Sequence, residues 1–338
     1  MKIFKNYCLK ENNTFKINAV AETFVEYDSD NEILQYLKGY KDISDRKLLI
    51  LGEGSNILFK GDFHGTIIHP KTAKIEIIQN SDEKIVVCAQ AGCIWDDFVE
   101  WTINYKAYGL ENLSLIPGTV GASAVQNIGA YGIEAGDFIE SVTYFDLKES
   151  KIVTIKGKDC AFAYRNSIFK TKLKNSIIIL SVNFCLNTSP SINADYADIK
   201  SYFGTKTDIN PSELRNAVIE IRNNKLPEPK IVGNAGSFFK NPLVDKAKFD
   251  ELLAEFVDLR YYSLDNNMYK IAAGWMIDKC GLKGFEKNGV AVHEKQALVI
   301  INRTGNVSGR DIVEFSELIQ NKVFEVFKIK LEPEVIFI

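Results

Sequence analysis

One serine hydroxyl stands between glycines and aromatic residues in the segment 233–242. Ser237 follows Gly236 directly and precedes Phe238 and Phe239. A serine held in this way acts as a nucleophile or as a general acid. The nucleophile-elbow motif G-x-S-x-G requires a glycine where Phe239 stands, and three histidines supply a hydrolase triad poorly. The pattern therefore favours a proton donor.

Two glycine-rich runs could hold a large ligand through their backbone. Residues 118–132 contain four glycines among small residues and amides, and residues 52–56 form a shorter run. Because glycine lets a backbone approach a ligand closely, the longer run predicts a cradle for a flat or phosphorylated molecule rather than a core element. The shorter run lacks the third glycine of a dinucleotide fingerprint, since that position is Ile57. It is either a nest of N–H groups for a diphosphate or a tight β-turn without a ligand.

Two further clusters combine charged and small polar residues. Arg165 lies within the segment 164–167, and Glu334 follows Glu332 near the end of the sequence. By residue type alone, the first cluster is a surface turn and the second a pair of solvated carboxylates. A guanidinium group can also bind a carboxylate through two parallel hydrogen bonds, which makes Arg165 a candidate anion-binding residue.

The composition limits the class of protein. The chain has 338 residues, of which 46% are hydrophobic and 25% charged, and its net charge is -3. This composition is that of a globular protein, and the charge implies no general affinity for nucleic acid or a membrane surface. No 18-residue apolar run or secretory signal is present, so we expect a cytoplasmic protein. Six scattered cysteines and three histidines form no metal-binding motif, so we expect reduced thiols and no metal.

The first half of the chain reads as strands with one helix. A strand at 48–51 runs into Gly52 and is followed by a strand at 57–59, which predicts a strand–turn–strand unit. Helical spacing predicts a helix over 95–108 that Gly109 ends. The other predicted strands are 75–78, 85–88, 141–147, 152–155 and 177–182.

The second half of the chain is richer in helices. A polar stretch at 187–210 precedes a helix that Asn210 caps and Pro211 opens. Two prolines at 227 and 229 mark a domain boundary. Further predicted helices are 245–257, 271–280 and 308–327, the last with an apolar stripe that packs on a core, and the predicted strands are 297–301 and 334–338.

Seven segments, in the right order over nearly the whole chain, together closely resemble the UDP-N-acetylenolpyruvoylglucosamine reductase family. These enzymes are flavoproteins of peptidoglycan precursor synthesis. The matching segments are 51–56, 115–132, 164–167, 233–242, 272–278, 292–298 and 331–335.

The resemblance implies an α+β protein with a two-part FAD-binding region of the vanillyl-alcohol-oxidase-like type and a C-terminal α+β substrate-binding domain. The implied FAD-binding subdomains are 1–70 and 71–224, with a polar loop insert at about 187–210. The UDP-sugar domain is 225–330, and a C-terminal strand, 331–338, carries the catalytic glutamate. Tyr196 in the insert is similar to the tyrosine that one subclass of the family folds over its nucleotide sugar.

The resemblance also implies a reaction. NADPH, as cosubstrate, reduces noncovalently held FAD, and a hydride then passes to the enolpyruvyl double bond of the UDP-sugar to give UDP-N-acetylmuramate. Arg165 is similar to the residue that stabilises charge on the substrate carboxylate, Ser237 to the proton donor, and Glu334 to the catalytic glutamate. A carboxylate beside an enolate must itself carry or share a proton.

Binding residues are implied in the same way. The FAD-binding candidates are Gly52, Gly54, Ser55, Asn56, Pro117, Gly118, Gly121, Ser123, Gln126, Asn127, Gly129, Ala130 and Tyr131. The substrate-binding candidates are Tyr196, Lys225, Asn241, Tyr262, Lys283 and Gln296. Lys225 and Lys283 also read as surface lysines, and Tyr261 and Tyr269 are alternatives to Tyr262.

Two alternatives remain open from the sequence. A flavin-dependent oxidase of the same fold would share both glycine runs without needing Ser237 or Glu334. A noncatalytic protein that binds a UDP-sugar or a flavin would need none of the three catalytic candidates. The expected partners are the UDP-sugar and NADPH, without nucleic acid or membrane, and the expected state is a monomer.

Overall fold

The computed structural model describes residues 1–38 and 47–338. Contacts between Cα atoms divide the chain into two units. The first unit consists of Met1–Tyr7, Ala21–Glu53 and His64–Asn224, and the second of Cys8–Val20, Gly54–Phe63 and Lys225–Ile338. The second unit therefore combines two short N-terminal segments with the C-terminal third of the chain. The four-part domain division expected from the resemblance stays a prediction.

The regular elements are numbered in chain order. The helices of the described residues are α1 Asp30–Lys38, α2 Trp95–Asn104, α3 Val120–Gln126, α4 Ala197–Phe203, α5 Pro211–Lys225, α6 Lys246–Glu255, α7 Ala273–Lys279 and α8 Gly309–Phe327. The strands up to the end of α5 are β1 Lys2–Cys8, β2 Val20–Tyr27, β3 Leu48–Ile50, β4 Ile57–Leu58, β5 Phe63–Pro70, β6 Ile75–Asn80, β7 Lys84–Gln90, β8 Gly129–Ala130, β9 Ile133–Glu134, β10 Ile139–Asp146, β11 Lys151–Lys156 and β12 Ile177–Asn187. The later strands are β13 Gly233–Ser237, β14 Leu243–Asp245, β15 Tyr261–Ser263, β16 Met268–Ile271, β17 Glu286–Lys287, β18 Val290–Val292, β19 Val299–Asn302 and β20 Ile336–Phe337.

Two larger sheets and a short hairpin form the first unit. Strands β1, β2, β5 and β3 form one sheet in that order, and β11, β10, β12, β7 and β6 form the other. The central strand β12 alternates inward and outward side chains, with Val182, Phe184 and Leu186 fully buried. Phe184 packs against Trp95 and Phe98 of α2, with ring centroids 5.9 and 4.9 Å away. One face of this sheet therefore carries the main core of the unit.

Helix α2 is shorter than the helical spacing predicts. It ends at Asn104 rather than near residue 108. Lys106 takes a left-handed φ of 57°, and the N–H of Ala107 donates to the carbonyl of Thr102. Gly109 belongs to a later turn, where an added Cβ would lie 2.4 Å from the ring of Phe138.

The longer glycine run is partly a core helix, so its interpretation as cradle alone is wrong. Residues 120–126 form α3, whose N-cap Thr119 accepts a hydrogen bond from the N–H of Ala122. Val120 and Ala124 are fully buried. An added Cβ on Gly121 would lie 2.8 Å from the Cβ of Ala91. The small residues of this run therefore allow a helix to pack closely on the rest of the unit.

The polar insert contains the helix α4, which the sequence analysis missed. Ile199 of α4 packs against Leu214, Val218 and Ile221 of α5. Asn112 Nδ2 donates to the carbonyl of Asn193 at 3.0 Å and holds the insert on the first unit. Helix α5 begins as predicted, since the Asn210 side chain accepts from the N–H of Glu213 at 2.9 Å.

The second unit contains three sheets and the long helix α8. Their strand orders are β13-β19-β18-β17, β14-β16-β15 and β20-β4. The predicted stripe of α8 is buried; its members are Ile312, Phe315, Ile319, Val323 and Phe327. Strand β4 pairs in parallel with β20, whereas β3 pairs with β5 in the first unit. The two predicted strands are both present, and the structure places them in different sheets.

Three further features of the structure concern its cysteines, metal-binding clusters and membrane-spanning helices. The six cysteines are free thiols. Among the described residues, no group of three or more His, Cys, Asp or Glu side chains could hold a metal ion. No helix there has the length and apolar character that crossing a membrane requires.

Candidate functional site

Arg165 lies in a tight turn of the first unit. The turn is closed by two backbone hydrogen bonds between Ala163 and Asn166, at 3.1 and 2.9 Å. Arg165 has a left-handed φ of 53°, which is uncommon for a residue with a side chain. Its Nη2 donates to the carbonyl of Gly129 at 2.7 Å, and its guanidinium carbon lies 5.2 Å from the ring centroid of Tyr164. The guanidinium is therefore half-buried and fixed to the glycine-rich segment.

The residues around α3 supply uncharged donors and acceptors. Ser123 is buried and its hydroxyl donates to the carbonyl of Val120 at 2.7 Å. Gln126 at the end of α3 accepts from Lys170 Nζ at 2.7 Å. The carbonyl of Gly118 accepts from the N–H of Trp95 at 2.9 Å. The other FAD-binding candidates of this segment are the exposed Pro117, the buried Gly121, and Gly129 and Ala130 in β8.

Asn127 has a structural task. It ends α3 in the left-handed conformation, with φ 47° and ψ 63°. Its Nδ2 donates to Glu134 at 2.7 Å and to the carbonyl of Ala163 at 3.0 Å, while its Oδ1 accepts from the N–H of Gly136 at 2.8 Å. These bonds connect the end of α3 to the turn that carries Arg165.

The start of the shorter glycine run lies beside α3. An added Cβ on Gly52 would be 2.9 Å from Oγ1 of Thr119 and 3.6 Å from the Cβ of Ala122. The first unit thus brings Gly52 to the N-terminal end of the helix from the longer run. Backbone N–H groups, hydroxyls and amides are the donors that suit a diphosphate and the polar edge of a flavin. The donor set therefore fits the expected FAD.

Helix α5 carries two arginines that the sequence analysis did not select, the buried Arg215 and the half-buried Arg222. Arg215 makes two hydrogen bonds with Asp96, at 2.6 and 3.0 Å. Arg222, about two turns further along α5, lies by the hydroxyl of Tyr131. Burial lowers the pKa of Arg222, while Tyr131 and Asp96 favour its charged form.

Burial affects Tyr131 as well, because it raises the pKa of that phenol, while Arg222 opposes the change. The ring of Tyr131 packs edge-on against Tyr196 of the insert at 5.3 Å between centroids. The sequence offered one clue to the position of Arg222: this residue directly follows Ile221, a buried member of the apolar stripe of α5.

Ser237 and Glu334 are neighbours in the second unit. The N–H of Glu334 donates to the carbonyl of Phe238 at 2.8 Å, and Phe239 forms a bridge with Pro333. Ser237 is exposed and pairs with Val299 of β19. Gly236 has a φ of 66° and open space where a Cβ would be. The second unit therefore brings the two catalytic candidates close together along the backbone, with Ser237 at the end of β13, Glu334 in the segment before β20, and open space at Gly236.

The remaining FAD-binding candidates lie in the second unit. Gly54 has a φ of 64° and packs against the backbone of Asn12. Asn56 Nδ2 donates to the carbonyl of Glu334 at 3.3 Å, and its own carbonyl accepts from the N–H of Ile336 at 3.0 Å. Ser55 lies between them and is half-buried. Asn56 thus binds the segment that carries the catalytic candidate Glu334.

Two of the substrate-binding candidates meet near the start of α7. Asn241 Oδ1 accepts from the N–H of Ala273 at 2.9 Å. Gln296 Oε1 lies 3.2 Å from the position of a Cβ on Gly274. Both side chains are half-buried, which favours fixed orientations.

The other substrate-binding candidates are more exposed cations and an aromatic ring. Lys283 pairs with Asp278 at 3.5 Å. Lys270 Nζ lies 5.2 Å from the ring centroid of Tyr262, whose residue is 43% exposed. Lys225 is half-buried at the end of α5. Tyr261 packs against Phe249 with ring centroids 4.6 Å apart, so the structure gives it a packing partner of its own.

Comparisons with known proteins were made for sequence and for structure. The FAD binding domain family matches residues 22–156. The family described as UDP-N-acetylenolpyruvoylglucosamine reductase, C-terminal domain, matches residues 227–338. A UDP-N-acetylenolpyruvoylglucosamine reductase from Bacteroides fragilis strain YCH46 is 42% identical over 334 residues, covering 99% of each chain. One from Neisseria gonorrhoeae is 43% identical and covers 95% of this chain and 93% of its own.

A solved structure shows the same fold. The crystal structure of UDP-N-acetylenolpyruvylglucosamine reductase from Thermus caldophilus aligns with a TM-score of 0.67 at 18% identity, covering 100% of this chain and 99% of that one. The predicted resemblance, the α+β class with an FAD-binding region, and the oxidoreductase class are confirmed. The chain belongs to the UDP-N-acetylenolpyruvoylglucosamine reductase family.

Proposed function

We propose that the chain reduces the enolpyruvyl group of UDP-N-acetylenolpyruvoylglucosamine to give UDP-N-acetylmuramate, with NADPH as electron donor. One observation carries the proposal: the exposed Ser237 ends β13, and the carbonyl of the next residue, Phe238, accepts a hydrogen bond from the N–H of the half-buried Glu334. An oxidase of this fold has no use for that pair. When bound, FAD supplies the hydride that this reduction needs.

Arg165 would stabilise the charge that develops on the substrate. Hydride addition to the methylene carbon leaves carbanion character at C2, which delocalises into the adjacent carboxylate. A cation at that carboxylate lowers the barrier most when the protein already holds it in place before the reaction. The bond to Gly129 and the tight turn hold the guanidinium in this way.

Ser237 would then protonate C2. A serine hydroxyl is a weak acid, but an enolate-like carbon is a strong base, so a short and well-oriented contact suffices. The exposed hydroxyl and the open space beside Gly236 leave room for a substrate to approach it.

Glu334 would act in its protonated form or share a proton with the substrate carboxylate. An ionised carboxylate beside a forming enolate would raise the barrier through like-charge repulsion. The carbonyl of Glu334 is held by Asn56 and its N–H by Phe238, which fixes the backbone from which the side chain acts.

The substrate-binding candidates would hold the rest of the nucleotide sugar. Lys225 and Lys283 are cations suited to the diphosphate, and Asn241 and Gln296 offer amides to the sugar. Tyr196 and Tyr262 would cover the uridine and diphosphate end. We also propose that the chain works as a cytoplasmic monomer.

The test is anaerobic stopped-flow absorbance of the flavin in the holoenzyme. Wild type, Ser237→Ala and Ser212→Ala are each reduced with NADPH and mixed with the enolpyruvyl sugar nucleotide in D₂O. Ser212 is an exposed residue of α5 outside the assigned site and serves as the matched control. We expect rapid reoxidation in wild type and control, deuterium at C2 of the product, and at least about a 100-fold slower reoxidation in Ser237→Ala.

Other results would point elsewhere. Normal reoxidation in Ser237→Ala would remove the serine from the mechanism. Wild-type flavin that reoxidises only when oxygen is admitted would identify an oxidase. Binding of the sugar nucleotide without any turnover would identify a binding protein.

A further inference from the structure

Arg165 holds a strained backbone conformation that requires external support. A side chain in the left-handed region costs about 1–2 kcal/mol relative to the right-handed one. Arg165 has a φ of 53° inside the turn closed by Ala163 and Asn166. Such strain persists only where surrounding contacts stabilise it. The position of Arg165 therefore depends on the contacts of its backbone as well as on the contacts of its guanidinium group.

Lys170 contacts both Arg165 and the end of α3. Its Nζ donates to the backbone carbonyl of Arg165 at 3.0 Å and to Gln126 Oε1 at 2.7 Å. The residue is half-buried. An ammonium group donates up to three hydrogen bonds without accepting any, so one lysine can bridge two acceptors.

The same short segment is attached to α3 at two other points. Ser167 Oγ donates to the carbonyl of Val125 at 2.7 Å, and Asn127 Nδ2 donates to the carbonyl of Ala163 at 3.0 Å. The C-terminal end of a helix carries partial negative charge, which a nearby ammonium group favours. Lys170 is the charged member of this set of contacts, and its ammonium group donates to the strained residue itself.

We propose that Lys170 is a positioning residue for catalysis. It fixes the carbonyl of Arg165, and thereby the left-handed turn, so that the guanidinium meets the substrate carboxylate. This inference rests on the proposed function, because it assumes that Arg165 binds that carboxylate. Lys170 itself needs no contact with the substrate.

The experiment separates the two half-reactions in the holoenzyme. Lys170→Met removes the donors at nearly constant length, and Lys170→Arg restores a cation with N–H donors. We expect Lys170→Met to slow anaerobic reoxidation by the enolpyruvyl sugar nucleotide, and to weaken its binding to the oxidised enzyme in calorimetry, by about 10- to 100-fold. Flavin reduction by NADPH should change by less than about 3-fold, and Lys170→Arg should recover most of the loss.

Lys172→Met is the matched control, since Lys172 is exposed two residues away. If Lys170→Met loses flavin or unfolds, Lys170→Gln, which keeps an N–H donor, is measured in its place and judged by the same split between half-reactions.

Equal slowing of both half-reactions, or a wild-type rate in Lys170→Met, would overturn the inference. Wild-type enzyme that the sugar nucleotide fails to reoxidise would instead overturn the proposed function. The two failures are therefore distinct.

Discussion

Gly54 has a conformation and a packing environment that admit only glycine. Its φ is 64°, and an added Cβ would lie 2.2 Å from the carbonyl oxygen of Asn12. We expect Gly54→Ala to lower the free energy of unfolding by at least about 2 kcal/mol, because left-handed strain and a backbone clash add. Urea unfolding followed by tryptophan fluorescence measures this loss.

The control is Gly61→Ala, which lies in the same unit and has no neighbour within 4 Å of the added Cβ. It should leave the urea midpoint almost unchanged. If both variants unfold at the wild-type midpoint, the close approach of the Gly54 loop to Asn12 is incorrect.

The catalytic candidates could be selected from sequence, but the residues that support them could not. Ser237 stands between glycines and aromatic residues, whereas Arg165 and Glu334 were given catalytic roles through the resemblance. Lys170 and Arg222 look like ordinary surface cations in the sequence, since lysine and arginine are mostly exposed. Lys170 donates to Gln126 of α3, and Arg222 lies by Tyr131. Only the folded chain brings these partners near.

An ion pair between Asp96 and Arg215 joins α2 to α5. Burial would raise the pKa of Asp96, but hydrogen bonds from Arg215 and from the N–H of Leu115 outweigh burial and hold that pKa below its usual value. A carboxyl group with a lowered folded-state pKa stabilises the fold above its unfolded pKa of about 3.9. This stabilisation is lost as the pH falls from about 5 through the folded-state pKa.

Asp96→Asn is expected to remove part of that acid sensitivity. Because the buried Arg215 is left without its anion, the variant should be about 2–3 kcal/mol less stable at pH 7 and close to wild type at the acid end of the window. Urea unfolding between pH 3 and pH 7 measures both effects. Asp97→Asn, at the exposed next position, is the control. Parallel pH profiles for wild type and Asp96→Asn would contradict the assignment.

Helices that have both a capping residue and an apolar stripe were predicted well. Helices α5 and α8 combine a capping residue with an apolar stripe, and both occur where expected. Helix α3 was missed because its packing uses Gly121 and Ala124, which carry too little side chain to produce a stripe. Helix α4 was missed because polar residues surround its single fully buried position, Ile199. Local patterns report side-chain hydrophobicity, whereas these two elements depend on tertiary contacts.

Local sequence patterns could not predict that the second unit includes two segments from near the N-terminus. Segments near the N-terminus join the second unit through contacts between residues more than 200 positions apart. Asn302 Nδ2 donates to the carbonyl of Phe15 at 2.9 Å, and the N–H of Asn234 donates to the carbonyl of Thr14 at 2.9 Å. An added Cβ on Gly233 would lie 2.3 Å from the same Phe15 carbonyl. These contacts join segments that lie far apart in the sequence, so a local pattern gives no sign of them.

Removal of FAD tests the molecule as a whole. A ligand that binds only the folded chain stabilises it by about 2.7 kcal/mol at 100 times its Kd. Since 1 kcal/mol shifts the Tm of a domain of this size by about 2–4 °C, the holoenzyme should melt about 5–10 °C above the flavin-free protein. Calorimetry with FAD, and with FMN at the same concentration, makes the comparison. FMN lacks the adenosine and one phosphate, so it should raise the Tm less if the loop at Gly52 and the segment around α3 hold the diphosphate. An equal rise with both flavins would place the affinity in the part that they share, the flavin ring with its ribityl phosphate, and no rise with FAD would contradict FAD as the cofactor of the folded chain.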